Sequence, residues 1–170
     1  MLSVDGAERK LGQNDLIVSK TNLKGHITYA NDVFLDIADY SLKQVLNQPH
    51  SMIRSEAMPR CVFQLLWEYL QDGREIFAYV VNATRKNDHY WVFAHVTPST
   101  DANGKIISYH SNRRAPSEAA IEAVKALYEI LLAEEAKHSN RKEGQKAGYA
   151  LLLKILEEKG MSYDEFIFSL

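Results

Sequence analysis

The side chains able to do chemistry in this chain gather in two stretches. The first is Gln48-Pro49-His50-Ser51-Met52-Ile53-Arg54, followed by Met58-Pro59 and Trp67-Glu68-Tyr69-Leu70. The second is Asn82 with Arg85-Lys86-Asn87-Asp88-His89-Tyr90-Trp91. A guanidinium fork such as that of Arg54 suits a pyrophosphate or carbonyl oxygen. An indole such as that of Trp67 offers a large apolar plane with a donor at its edge. An amide such as that of Asn82 both donates and accepts. These groups hold things rather than transform them. No Ser/His/Asp set, Gly-rich phosphate loop or zinc-ligand spacing is present, so catalysis has no candidate residues and the chain reads as a non-enzyme. His89, His95 and His110 are too spread along extended segments to define a metal site. Cys61, the single cysteine, excludes an internal disulfide and reads as a small apolar residue on a helix. Plainer readings stand beside these. Phe63, Trp67 and Leu70 suit a core at helical spacing, Arg54 a solvated loop, and Asn82 a strand edge.

Elements able to position these groups follow from the pattern. Leu16 to Thr21 and His26 to Tyr29 alternate around the turn Asn22-Leu23-Lys24-Gly25 and read as a hairpin. Asn31 or Asp32 can cap a helix whose apolar face is Phe34, Ile37 and Ala38. Ser41 and Gln44 form a capping box for a second short helix. Pro49 and Pro59 punctuate a loop. From Arg60, residues Phe63, Leu66, Trp67 and Leu70 fall at helical spacing, and Gly73 ends that helix. Ile76 to Ala83, His89 to Thr97 and Lys105 to Asn112 read as three strands joined by turns at 85–88 and 101–104. Two strands, short helices and three strands make an α+β domain, with one antiparallel sheet packed against helices.

After Pro116 the pattern turns helical. Ser117 can cap a helix with Ile121, Val124, Leu127 or Tyr128, and Leu131 on one face. A polar break at 138–142 precedes a second helix with a stripe of Ala147, Leu151 and Ile155, ending at Gly160. Ser162 and Glu165 box the start of a last apolar turn through Phe166, Ile167 and Phe168. The stripes suit either burial against the sheet's open face or pairing with another subunit. The organisation expected is an N-terminal cap or flexible arm over 1–13, the α+β domain over 14–116, and a helical C-terminal extension over 117–170.

Composition sets the class. With 170 residues, 46% hydrophobic and 25% charged, the chain suits one globular domain with an appendage. A net charge of −2 gives no reason to expect nucleic acid or an anionic membrane as partner. The longest apolar run, Ile76 to Val81, falls far short of the roughly 20 residues of a membrane span. The N-terminus lacks the basic and apolar regions of a signal peptide, so the expected location is cytoplasmic.

One ordered set of residues is more specific. It runs Ile27-Thr28-Tyr29-Ala30-Asn31-Asp32 with Phe34, Gln48-Pro49-His50, Arg54, Met58-Pro59, Phe63, Trp67, Asn82 and Asp88-His89-Tyr90-Trp91. It continues through Gly104-Lys105-Ile106, Ile121-Glu122-Ala123-Val124 and Leu127-Tyr128. Over roughly residues 14 to 132 this resembles the PAS sensory domain of bacterial aerotaxis receptors. The resemblance implies the PAS fold, a five-stranded antiparallel sheet with short helices on one face. It also implies FAD held between sheet and helices, with Asn31, His50, Arg54, Trp67, Asn82 and Trp91 as candidate cofactor-binding residues. The implied function is redox or oxygen sensing, with a homodimer or a signalling partner engaged through residues 117–170. The chain departs from the family at Ser55-Glu56-Ala57, where receptors carry His-Pro-Asp, and at Ile76, where they carry Trp. A cofactor-free interaction module, or a haem gas sensor with His50 on the iron, are the alternatives.

Overall fold

The structure, a computed structural model, describes Leu2 and residues 4–170. Met1 and Ser3, at the tip of the expected arm, lie outside the described residues. Five antiparallel strands form one sheet in the order β2-β1-β5-β4-β3. They are β1 (Ile17–Thr21), β2 (Ile27–Ala30), β3 (Ile76–Ala83), β4 (His89–Thr100) and β5 (Ile106–Arg114). Between β2 and β3 run α1 (Asp32–Ala38), α2 (Leu42–Val45), a 3-10 turn His50–Ile53 and α3 (Arg60–Gln71). The α+β expectation holds.

Local chemistry places these elements. Asn31 caps α1, accepting from the Phe34 amide, and Phe34, Ile37 and Ala38 are its buried face. The capping box of Ser41 and Gln44 opens α2. β4 and β5 run longer than their sequence signals. β4 continues through Pro98 because β3 begins opposite Val96, leaving β4 without a neighbour on that side where the missing amide would matter. β5 continues through Arg113 and Arg114, because Arg113 pairs with Ala94 on one side and Ile17 on the other. The N-terminal segment docks onto the start of β4: the Arg9 amide donates to the His89 carbonyl (2.7 Å) and the His89 amide to the Ala7 carbonyl (3.0 Å).

Three helices complete the chain: α4 (Glu118–Ala136), α5 (Arg141–Lys159) and α6 (Tyr163–Phe168). The stripe of α4 is buried within the chain at Ile121, Val124, Tyr128 and Leu131. The Tyr128 hydroxyl donates to the Tyr79 carbonyl at 2.5 Å, meeting the outer edge of β3. The Met58 sulfur accepts from the Val81 amide on the same strand at 3.4 Å. An edge strand with its polar groups engaged this way is protected from pairing with another chain.

The stripe expected on α5 is displaced by one residue. Ala147, Leu151 and Ile155 are half-buried, and the buried line is Gly144, Gly148, Leu152 and Leu156. The reason is close approach. A Cβ on Gly144 would stand 2.4 Å from the Glu135 carbonyl oxygen, and one on Gly148 would stand 2.8 Å from the Glu135 side chain and 3.3 Å from the Cys61 sulfur. Two glycines carry no apolar signal, yet they are the contact face.

Glu135 closes this junction. α3 begins after Pro59, which has no capping side chain. The Glu135 carboxylate instead accepts from the amides of Arg60 (3.1 Å) and Cys61 (2.8 Å), with only 5% of the residue exposed. An anion on exposed helix amides is favourable both as hydrogen bonding and against the helix dipole. A Gly-to-Ala change in a helix interior ordinarily stabilises by about 1 kcal/mol. Here Gly144→Ala is expected to cost about 1–3 kcal/mol through overpacking on backbone. Urea denaturation checks the sign, and a gain in stability contradicts the junction.

Candidate functional site

A cavity of about 330 Å³ lies between the sheet and the helices. Its sheet wall comes from alternate residues of neighbouring strands: Ser19 and Thr21 of β1, Tyr109, Ser111 and Arg113 of β5, Ala94 and Val96 of β4, Val80 and Asn82 of β3. Its helical wall is the face of α3 formed by Phe63, Leu66, Trp67 and Leu70. These are the residues whose helical spacing is visible in the sequence. They bound a hollow rather than fill a solid core.

Four of the six expected site residues meet there: His50, Arg54, Trp67 and Asn82. Trp67 is half-buried, with its ring edge-to-face with Tyr109 at 5.4 Å. Gly25 lets the β1–β2 turn press against this indole, since a Cβ there would stand 3.4 Å from the ring. Arg54 is exposed at the mouth, its guanidinium carbon 3.6 Å from the centre of the Phe63 ring. Lys24 lines the same mouth. Asn82, 4% exposed, is tied by a backbone bridge to Arg54, so mouth and edge strand are fixed to each other.

Asn31 and Trp91 do not line the cavity. Both ends of the Asn31 amide are consumed by backbone: its oxygen accepts from the amides of Val18 (3.0 Å) and Phe34 (3.1 Å), and its nitrogen donates to the Leu16 carbonyl (2.8 Å). Trp91 falls on the opposite face of β4 from Ala94 and Val96, because side chains alternate along a strand. It stacks on Tyr128 of α4 at 6.3 Å.

The most buried charged group of the cavity is Arg113, which sequence reasoning missed. The strand expected over 105–112 stops one residue short of it. The signal that finds it is the alternation Tyr109, Ser111, Arg113, which puts all three on the cavity face. Arg113 is 2% exposed. Its Nε donates to the Ser111 hydroxyl (3.0 Å), and its Nη2 to His50 Nε2 (3.0 Å) and to the Ser19 hydroxyl. Its Nη1 is buried without a hydrogen-bond partner among the described residues.

His50 is therefore held neutral. Burial, and then the Arg113 charge, pull its pKa from 6.5 down to about 3. With Nε2 accepting from Arg113, the ring proton sits on Nδ1. Burial raises the Cys61 thiol, so it stays protonated and inert. Among the described residues no group of His, Cys, Asp or Glu is arranged to hold a metal ion.

Known proteins match this architecture. A family model described as PAS fold covers residues 14–110, more than half of the chain. The chain belongs to the PAS family. The aerotaxis receptor of Escherichia coli (strain K12) is 37% identical over 121 residues, covering 71% of this chain and 24% of the receptor. The nitrogen fixation regulatory protein of Klebsiella pneumoniae is 30% identical over 102 residues, covering 60% of this chain and 21% of that protein. This PAS chain thus spans at most about a quarter of the length of the curated relatives it matches. A light-oxygen-voltage domain studied with a flavin analogue superposes with a TM-score of 0.57 at 18% identity, covering 72% of this chain and 87% of that one. At that identity the likeness speaks for the PAS fold alone. The chain is a PAS sensory domain similar to the aerotaxis receptor, and no helix among its described residues is long and apolar enough to cross a membrane.

The two departures from the aerotaxis pattern lie outside the cavity wall. Ser55 and Ala57 are buried beside it, with the Ser55 hydroxyl accepting from the Ala57 amide at 3.2 Å, and Glu56 is exposed. Ile76 is fully buried; it pairs with Val96 on the cavity face of the sheet, beyond the end of the hollow, and is not one of its lining residues.

The state of His50 sets a pH dependence. Because its folded pKa lies below the unfolded one, only the unfolded chain binds this proton between pH 6.5 and about 3. Its contribution to stability is complete above that window and is lost on acidification, at up to about 1.4 kcal/mol per pH unit. His50→Gln keeps an acceptor for Arg113 without the titration. Its urea midpoint is expected to fall less steeply than the wild type's between about pH 7 and pH 5; parallel curves contradict a neutral buried His50.

Proposed function

We propose that this PAS domain binds a flavin, taken as FAD, and senses redox state or oxygen. The observation that carries the reading is the hollow between sheet and α3. Its volume of about 330 Å³ falls in the range of roughly 300–1,000 Å³ usual for small-molecule sites. Its chemistry fits a flat ring with polar edges. Trp67, Leu66, Leu70 and Val96 give apolar walls, Asn82 an amide that donates and accepts, and Arg113 an unused donor. Lys24 and Arg54 at the mouth suit a pyrophosphate. The likeness to an aerotaxis receptor supports the oxygen-sensing side of the same reading.

In this reading the flavin supplies the redox chemistry and the chain supplies everything else. Trp67 packs on the ring, Asn82 hydrogen-bonds its edge, the aliphatic wall excludes water, and the mouth cations hold the tail. A change in the ring's hydrogen bonding moves α3, whose first turn is tied through Glu135 to α4 and α5. A signal arises only if the chain interacts differently with the two cofactor states. The proposal includes a sensor domain over 14–116, a cytoplasmic setting, and a homodimer or partner engaged through 117–170. Haem on His50 is disfavoured, because its Nε2 already accepts from a guanidinium that repels a metal cation.

The test is the visible spectrum of the purified protein, before and after incubation with FAD. A bound yellow chromophore is expected, and protein that stays colourless after reconstitution overturns the reading. Trp67→Ala and Asn82→Ala are each expected to weaken FAD binding by about 1–3 kcal/mol, roughly 5- to 150-fold. Fluorescence titration measures this, with circular dichroism confirming the fold.

A further inference from the structure

The inner wall of the cavity holds a cation that the fold does not neutralise. Arg113 is 2% exposed, and among the described residues no Asp or Glu lines the cavity; its lining cations are Arg113, Arg54 and Lys24. Burial lowers the Arg113 pKa to about 10, which leaves it protonated at neutral pH. The groups that face it are uncharged. Ser111 of β5 and Ser19 of β1 are hydroxyls. His50 of the 3-10 turn is neutral, and the Phe34 ring of α1 lies 5.4 Å away. Tyr90 of β4 is fully buried, with its hydroxyl pushed up to about 12. Hydroxyls and an imidazole orient a guanidinium, but they do not balance its charge. Burying a charge without a counter-charge is costly, and a structural role is served as well by a hydrocarbon. The partnerless Nη1 marks where a ligand's acceptor belongs.

Resting on the flavin reading above, we propose that Arg113 supplies the contact that tells reduced from oxidised cofactor, favouring the reduced, anionic form. The balance is simple. The oxidised ring is neutral. Two electrons from an external reductant (dithionite in the test below) and one proton from solvent, taken at N5, would leave one negative charge shared between N1 and the neighbouring carbonyl oxygen. A fixed guanidinium gains little from a neutral carbonyl edge and much more from that anion in a site sheltered from water. The difference between those two gains is the differential interaction that a sensor requires. Ser111, Ser19 and His50 act as positioning residues, holding three of the fork's bonds so that Nη1 stays free.

The test is a redox titration of the flavin-loaded protein with dithionite. Arg113→Gln removes the charge and keeps amide donors. It is expected to lose at least tenfold of the preference for the reduced form, a fall of about 30 mV in midpoint potential for a two-electron couple. Arg113→Lys, which keeps the charge without the fork, is expected between the two. The wild type carries its own test, independent of whether the variants fold. Uptake of one proton per two electrons gives a slope of about 30 mV per pH unit, against about 59 mV for two protons. The smaller slope is expected to persist down to about pH 5, with the anion held by Arg113. A yellow protein with the larger slope there, or an Arg113→Gln protein with an unshifted potential, overturns the proposal and leaves flavin binding intact. A protein that takes up no FAD removes the flavin reading itself.

Discussion

A guanidinium buried in a sheet without a carboxylate is the constraint from which the rest of this site follows. Arg113 pairs by backbone with Ile17 and Ala94, which fixes its side chain on the cavity face of the sheet. Its presence adds to burial in keeping His50 neutral, engages Ser19 and Ser111, and makes the inner cavity positive. The cavity survives because α3 stands off the sheet, with bulky Trp67 and Phe63 on its inner face and the β1–β2 turn propped against the indole. Packing that hollow with aliphatic side chains would bury more apolar area. This chain instead keeps a polar, unbalanced interior, as a binding site does and a purely structural core does not.

The C-terminal helices are built into this arrangement. α3 presents one face to the cavity and the other, with Cys61, to the helical extension. Its N-terminal amides depend on Glu135, at the end of α4, and the two glycines of α5 clamp the residue that carries that carboxylate. A contact made of backbone atoms and a buried carboxylate has little slack, so displacement of α3 must be shared by α4 and α5. The extension is thus a mechanical continuation of the sensor wall. Phe168, 61% exposed, lies against Phe77 and Phe93 and leaves an apolar surface on the face of the sheet away from the cavity.

The sequence made the frame legible through short-range signals. Alternation around Gly25, the Asn31 cap, the two capping boxes and the stripe Phe63-Leu66-Trp67-Leu70 each report a local structure that the fold then uses. Where reading failed, the deciding interaction was long-range. Arg113 lies one residue past the expected end of its strand, and only pairing with β1 and β4 shows that it is enclosed. Gly144 and Gly148 look like gaps in an apolar pattern, and only the partner helix shows that they are its contact. Trp91 shares its residue type with Trp67, but strand alternation sends it to the opposite face. Asn31 belongs to the family pattern, yet both ends of its amide are engaged by backbone groups. Element patterns carry the fold, whereas a site assembled from four strands and a helix has no local signature.

The proposed site works only if a guest enters the hollow and reaches Arg113. Amide hydrogen exchange with and without FAD measures this directly. The predicted result is slowed exchange at His50 to Arg54 and at Ser111 to Arg113, the two segments that enclose the guanidinium. Exchange that is unchanged in both segments under saturating FAD, or slowed only within residues 117–170, would contradict it.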